Sequence, residues 1–334
     1  MLAVALPATL AHGQAVDRIK TTTGVVSGEI SATTPEKVVV KQGAAGQVEV
    51  DAATISSISF AGEPGELAQA RSSLAGKRFA DAQQALAKVD RAAVTRKAIQ
   101  QELDYYQALS AAQLALAGEG ALDQAGKQLF RFLTEHGESY HYYQACEVLG
   151  DLLTNRGDHD KAETFYRKMA AAPWPETKAR SNLLSARALQ AQGKSAAALQ
   201  QLNDLPQATA DSAEAREQQA QVTILKAVCL ADTGQADAGI DLLSELIAQT
   251  GPEAAQLQAL AHNALGTCYR KAGKTKDALL AFLHVDVLYN TLPEPHAEAL
   301  SHLVPLWQAI GKTDRARQAH QLLKERYPNS RWAR

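Results

Sequence analysis

Aromatic side chains make up only 5% of this 334-residue chain, too few for a large aromatic core. The abundance of Ala, Leu and Gln after residue 63 favours helices packed at close range instead. Cysteine is scarce. Cys146, Cys229 and Cys268 form no C-x-x-C pair and have no metal-ligand spacing, so they read as small apolar residues of an interior. Cys229 and Cys268 are 39 residues apart, and equivalent positions on stacked helices sit ~8–10 Å apart, too far for a disulfide. Neither sign of charge dominates, with 34 basic and 36 acidic residues, so no general attraction to nucleic acid or anionic lipid is expected. No segment supplies the ~18 apolar residues of a membrane-spanning helix.

The signatures of catalysis are missing too: no H-E-x-x-H, no G-x-S-x-G, no Walker-type loop and no G-x-G-x-x-G. The nine histidines are scattered. His136 and His141 flank Glu138-Ser139-Tyr140 and read as solvated loop residues. His284 and Asp286 are two apart on a helix, point to different faces and cannot share a metal. Cys146 with His141 could be imagined as a nucleophile with its base, but Cys146 occupies a packing position. The expectation is a protein that is not an enzyme, with no cofactor and no metal.

In chain order, residues 1–15 (MLAVALPATLAHGQA) are apolar and finish in small residues, as a secretory signal peptide does, with Gly13 and Ala15 as the −3 and −1 positions. No Lys or Arg precedes the run, so the alternatives are a truncated signal or a frayed amphipathic terminus. The first implies an exported protein, periplasmic or secreted. Residues 16–62 change texture: β-branched runs near 17–22, 25–32, 36–42, 47–51 and 55–60, separated by Gly and Pro breakers, predict five strands. They resemble the small SH3-like or Sm-like barrels. Their charges balance and Phe60 is the one aromatic, which argues against RNA binding.

From Gly62-Glu63-Pro64-Gly65 onward the pattern is helical. Turn glycines Gly157, Gly193, Gly234, Gly273 and Gly311 recur at spacings of 36, 41, 39 and 38, a period that marks a helical solenoid. Five residues after each comes a small residue: Ala162, Ala198, Gly239, Ala278 and Ala316. Twelve before these lie Gly150, Ala186, Ala227, Gly266 and Val304. Small residues there let two antiparallel helices approach closely. Pro305 inside the last first-helix predicts a kink or a break.

The clearest copy, residues 263–285 with Gly266, Ala278, Leu265, Tyr269 and Phe282, resembles a tetratricopeptide-repeat unit. The ending Lys324–Ser330 resembles the final helix of such proteins in the bacterial cell envelope. The resemblance implies about seven helix-pair units over residues 63–334. It also implies a groove lined by the first helix of each unit, able to accept a peptide or a helix. Aligning the units places Gln144, Glu147 and Asp151, then Arg180, Arg187 and Gln190, then Asn263, Thr267 and Arg270 on that face. The Lys/Asn carboxylate clamp of the chaperone-binding members is not reproduced. Aromatic groups at Tyr105-Tyr106, Tyr140–Tyr143 and Trp174 are candidate partner anchors or inter-repeat packing. Lys312–Arg334 holds seven basic and two acidic residues, a capping helix or a contact for an acidic partner.

The reading is therefore a mostly α protein, an α-solenoid behind a small five-stranded β-barrel-like domain. It would act outside the cytoplasm as a non-catalytic scaffold for protein or peptide partners. The alternative is a structural element of a cell-envelope assembly, a homo-oligomer held by the β domain.

Overall fold

The computed structural model describes residues 16–205 and 213–333. The signal-peptide segment 1–15 and the inter-repeat loop at 206–212 lie outside the described residues. The chain divides into two compact units, the first of residues up to 152 with 172–174, the second of 153–171 with 175–334.

The first unit begins with β1 (Asp17–Thr21), β2 (Val25–Thr33), β3 (Lys37–Lys41), β4 (Gln47–Asp51) and β5 (Ile55–Ser59). All neighbouring pairs are antiparallel, in the order β4-β3-β2-β1-β5. The sheet is open, with β4 and β5 at its edges. Alternation decides which side is covered: Val38 and Val40 of β3 are buried, as are Ile19, Val50 and Ile58. One carboxylate ties the sheet to the helical segment of the same unit. Asp17, 1% exposed, accepts from the Ile30 amide at 2.8 Å, the Ala61 amide at 2.8 Å and the two Arg96 guanidinium nitrogens at 2.6 and 2.5 Å. Nearby, Glu63 and Arg71 form a second, largely buried ion pair at 2.5 Å.

Helices α1 (Gly65–Ala75), α2 (Phe79–Ala87), α3 (Lys97–Leu116), α4 (Leu122–Glu135) and the start of α5 (Tyr142–Arg156) complete the first unit. The second holds α6 (His159–Lys168), α7 (Pro175–Ala191), α8 (Ser195–Asn203), α9 (Ala213–Asp232), α10 (Ala236–Gln249), α11 (Ala255–Lys271), α12 (Thr275–Leu288), α13 (Pro293–Ala309) and α14 (Thr313–Arg326). The described residues thus contain seven helix pairs.

The pairs turn by one repeated device. Gly157, Gly193, Gly234, Gly273 and Gly311 all have φ between +73° and +91°, a region that costs a side chain roughly 1–2 kcal/mol. The residue after each glycine donates its amide to a carbonyl five residues back: Asp158 to Leu153, Lys194 to Leu189, Gln235 to Leu230, Lys274 to Tyr269 and Lys312 to Trp307. That bond closes the first helix with a Schellman cap. The same residue's carbonyl then accepts the amide of Ala162, Ala198, Gly239, Ala278 or Ala316, opening the second helix. Three of those alanines, Ala162, Ala198 and Ala278, are fully buried and Ala316 is 3% exposed.

Close approach is tightest where the glycines fall. A Cβ on Gly266 would lie 2.7 Å from the Phe282 ring, and one on Gly239 would lie 2.5 Å from the Ala227 carbonyl oxygen. Gly150 is buried in α5. The α13 helix runs unbroken through Pro305, whose ring lies on an exposed face. The expectation of a break there is corrected: a solvent-side proline leaves its orphaned carbonyl to water, so the helix persists.

All three cysteines are buried free thiols. Burial, with Asp232 adding to it, pushes both Cys229 and Cys268 up to about 12. Thiol-disulfide reagents should therefore leave the folded protein unlabelled over minutes at pH 8 and label three thiols in denaturant, read by absorbance.

Candidate functional site

On the first helices, several side chains selected from sequence bond to a neighbouring first helix. The Tyr105 hydroxyl of α3 donates to Gln144 Oε1 of α5 at 2.7 Å. Arg187 of α7 donates to Gln221 of α9 at 3.2 Å. Gln190 of α7 donates to Asp232 of α9 at 2.9 Å. Arg270 of α11 donates to His302 Nδ1 of α13 at 2.7 Å. Burial and the Arg270 charge push His302 down to about 4, so it stays neutral and accepts. Polar rungs thus join α3 to α5 within the first compact unit, and α7 to α9 and α11 to α13 within the second, with Gln144, Arg187 and Arg270 still exposed. Glu147, Asp151, Arg180 and Thr267 are half-buried beside it, Thr267 donating to the Asn263 carbonyl at 3.1 Å.

Asn263 departs from the expectation. It is 1% exposed, and its amide nitrogen donates to the Pro295 carbonyl at 2.9 Å and to Glu298 at 3.1 Å. A partner cannot touch it. The α13 helix covers the position, so Asn263 joins two repeats instead of facing a ligand.

Its neighbour Glu298 carries the most displaced carboxylate of this face. Burial pushes Glu298 up to about 7, against the opposing pull of Arg331 and the Asn263 hydrogen bond. Folding therefore takes up a proton between the ordinary glutamate value of about 4.3 and about 7. This group's contribution to stability falls as pH rises through that window. Denaturant titrations at pH 5 and pH 8 should show Glu298→Gln losing that slope and gaining on the parent at pH 8.

Sequence reasoning missed Asp232, at the end of α9. It accepts from Gln190 at 2.9 Å and Ser195 at 2.8 Å and pairs with Lys271 at 2.9 Å, joining α7, α8, α9 and α11. Burial would raise its pKa, but those hydrogen bonds and the Lys271 charge lower it overall. The available signal was an acidic residue two positions before a turn glycine.

In the first unit, His136 and His141 are buried, not solvated. His141 stacks on Tyr105 at 3.6 Å and meets Glu102, itself 2% exposed, at 3.0 Å. His136 meets Asp104 at 3.1 Å. Both sit where the chain turns back across α3, so the loop closes over them. Tyr105, Tyr106 and Tyr143 are also buried and serve packing instead of anchoring a partner. Trp174 meets Tyr143 edge-on at 5.9 Å.

Among the described residues one group could hold a metal ion, Asp104, Glu135 and His136. Asp104 and Glu135 line a cleft of about 360 Å³ between α3 and α4. Arg91 already pairs with Asp104 at 2.6 Å and Arg131 with Glu135 at 2.8 Å, so an ion-pair network accounts for the cluster.

The repeated turn, the small-residue contacts and the ladder between first helices now stand together with a direct match: residues 145–179 fit the family model described as tetratricopeptide repeat. The helical array has the tetratricopeptide-repeat fold. A tetratricopeptide repeat protein from Parabacteroides merdae ATCC 43184 superposes with a TM-score of 0.58 at 16% identity, over 78% of this chain and 91% of that one. The apo form of RapI is 12% identical over 80% of this chain and 77% of its own, TM-score 0.49. NprR, in complex with its cognate peptide NprX, is 13% identical over 78% and 77%, TM-score 0.49. At these identities the likeness is one of tetratricopeptide architecture alone. No curated protein matches the sequence.

Proposed function

We propose that this tetratricopeptide-repeat chain is a non-catalytic adaptor that holds a protein or peptide along the polar face of its first helices, outside the bacterial cytoplasm. The observation that carries the reading is the ladder itself. Gln144, Arg187 and Arg270 stay exposed while each is held by a neighbouring first helix, Gln144 by the preceding one and the two arginines by the following one. A partner therefore meets donors and acceptors already fixed in place, at a smaller ordering cost than free side chains would impose. No helix among the described residues is long and apolar enough to cross a membrane. Export is supported by the apolar, small-residue-ended segment 1–15.

The test is a photo-activatable residue placed in living cells at Gln144, Arg187 or Arg270, with the exposed second-helix positions Thr164 and Gln200 as controls. One shared adduct from the first-helix positions, absent from the controls, supports the adaptor. Adducts confined to the controls overturn it. Fractionation of the same cells checks export: the chain should lie outside the cytoplasm without residues 1–15, and full-length cytosolic protein contradicts this.

A further inference from the structure

The second helices hold an anomaly that the partner-binding face does not use. Three of the most exposed large apolar side chains lie on one helix, α12: Leu280 at 64%, Val287 at 64% and Leu288 at 60% exposed. Leu283, half-buried, lies between them. Positions 280, 283 and 287 follow the i, i+3, i+7 spacing of a helix seam. The other repeats provide an internal control. Aligned on the small residue of each second helix, Leu280 corresponds to Thr164, Gln200, Asp241 and Gln318, and Leu283 to Arg167, Asn203, Ser244 and Gln321. At these two positions α6, α8, α10 and α14 are polar; on α4 only the second is apolar, Phe130 at 56% exposed, so α12 alone is apolar at both.

The flanks of this stripe differ in sign. Lys274 at the start of α12 pairs with Asp237 at the start of α10 at 2.7 Å, which puts α10 on one flank of α12. On the other flank, Phe282 and Val285 of α12 share a core with Ala319 and Leu323 of α14. The α10 helix carries Asp237, Asp241 and Glu245, all exposed, and no basic residue. The α14 helix carries Arg315, Arg317, Lys324 and Arg326 against Asp314 and Glu325, and all six are exposed. In lateral order the face reads acidic, apolar, basic.

We infer that this face pairs with the same face of a second copy of the chain, about a two-fold axis parallel to α12. Such an axis places α12 beside α12 in parallel and turns the acidic α10 of each copy toward the basic α14 of the other. A two-fold axis across the helices would instead set α10 against α10 and oppose like charges. An isologous contact needs a self-complementary patch, and the parallel arrangement supplies it in the apolar stripe and between α10 and α14, with Lys276 facing its own copy at the end of the stripe. Three helices of about 21 Å, spaced ~10 Å apart, present a face on the order of 600 Å², at the smaller end of stable interfaces.

The inference stands independently of the adaptor reading, and its test uses the full chain in sedimentation analysis. A concentration-dependent dimer is expected, and Leu280→Glu with Val287→Glu should raise its dissociation constant at least 100-fold with helical circular dichroism unchanged. Reversing α10 (Asp241→Lys, Glu245→Lys) or α14 (Arg315→Glu, Arg326→Glu) should weaken self-association about tenfold. Mixing the two reversed variants should restore pairing, because both cross-contacts then regain opposite charges. Lys276→Cys should give a linked dimer with a short bis-maleimide cross-linker, since a parallel pair brings the two 276 positions within about 10 Å of each other. A monomer at every concentration, a dimer indifferent to the α12 substitutions, or a dimer that Lys276→Cys fails to link overturns the inference.

Discussion

Phe282→Ala should lower the stability of the second unit by about 3–5 kcal/mol. Phe282 is fully buried, its ring seats where a Gly266 side chain would be, and it meets the His302 ring at 4.6 Å. Removing it deletes apolar area and opens a void between α11, α12 and α13 that close-packed helices cannot wholly collapse. Urea titration of a Trp174→Phe background, followed by Trp307 and Trp332 fluorescence, isolates the second unit, since both reporters lie there. The complementary substitution is Gly266→Ala. Its Cβ would fall 2.7 Å from ring carbons, so it should cost roughly 1–3 kcal/mol by overpacking. The cost should shrink in a Phe282→Leu background, giving a coupling of about 1 kcal/mol in the double-mutant cycle. Additive effects would mean that the glycine does not exist to seat the ring.

The second large effect concerns Asp17→Ala, expected to destabilise the first unit by about 3–5 kcal/mol. The substitution strips Arg96 of its partner and leaves the Ile30 and Ala61 amides without their acceptor. Asp17→Asn retains the shape but not the charge and should recover only part of the loss. Acid should imitate the mutation. Burial alone would raise the Asp17 pKa, but the Arg96 hydrogen bond, the two amides and the Arg96 charge hold it below the ordinary carboxylate range. A lowered folded-state pKa means stability that is present above about 3.9, the unfolded value, and lost as pH falls toward the folded value. Trp174 fluorescence, in the first unit, should report that decline in the parent. In Asp17→Ala this component should be missing.

The helix-pair architecture was legible because it rests on local rules. A left-handed turn wants glycine, a close crossing wants a small residue, and both recur at fixed offsets from Gly157 to Gly311. The five strands were legible from β-branched runs and their breakers. What escaped was set by neighbours distant in sequence. The helical register placed Asn263 on the first-helix face, but only the packed α13 shows that the residue is covered. His136 and His141 sit among loop residues, and their burial comes from α3 lying beneath them. Pro305 broke a local rule without breaking the helix, since its missing donor costs little on a solvated side. Asp232 gathers three partners from α7, α8 and α11, a convergence that no spacing within one repeat encodes. The outward leucines of α12 were equally hidden, because apolar residues in a helix read as core until their exposure is known.

Hydrogen–deuterium exchange of the full chain with and without its cross-linked partner, resolved by peptide, tests the adaptor account most directly. The account predicts slowed exchange upon binding in α5, α7, α11 and α13, with α10, α12 and α14 unchanged. Protection confined to the second helices or to the β-sheet would contradict it.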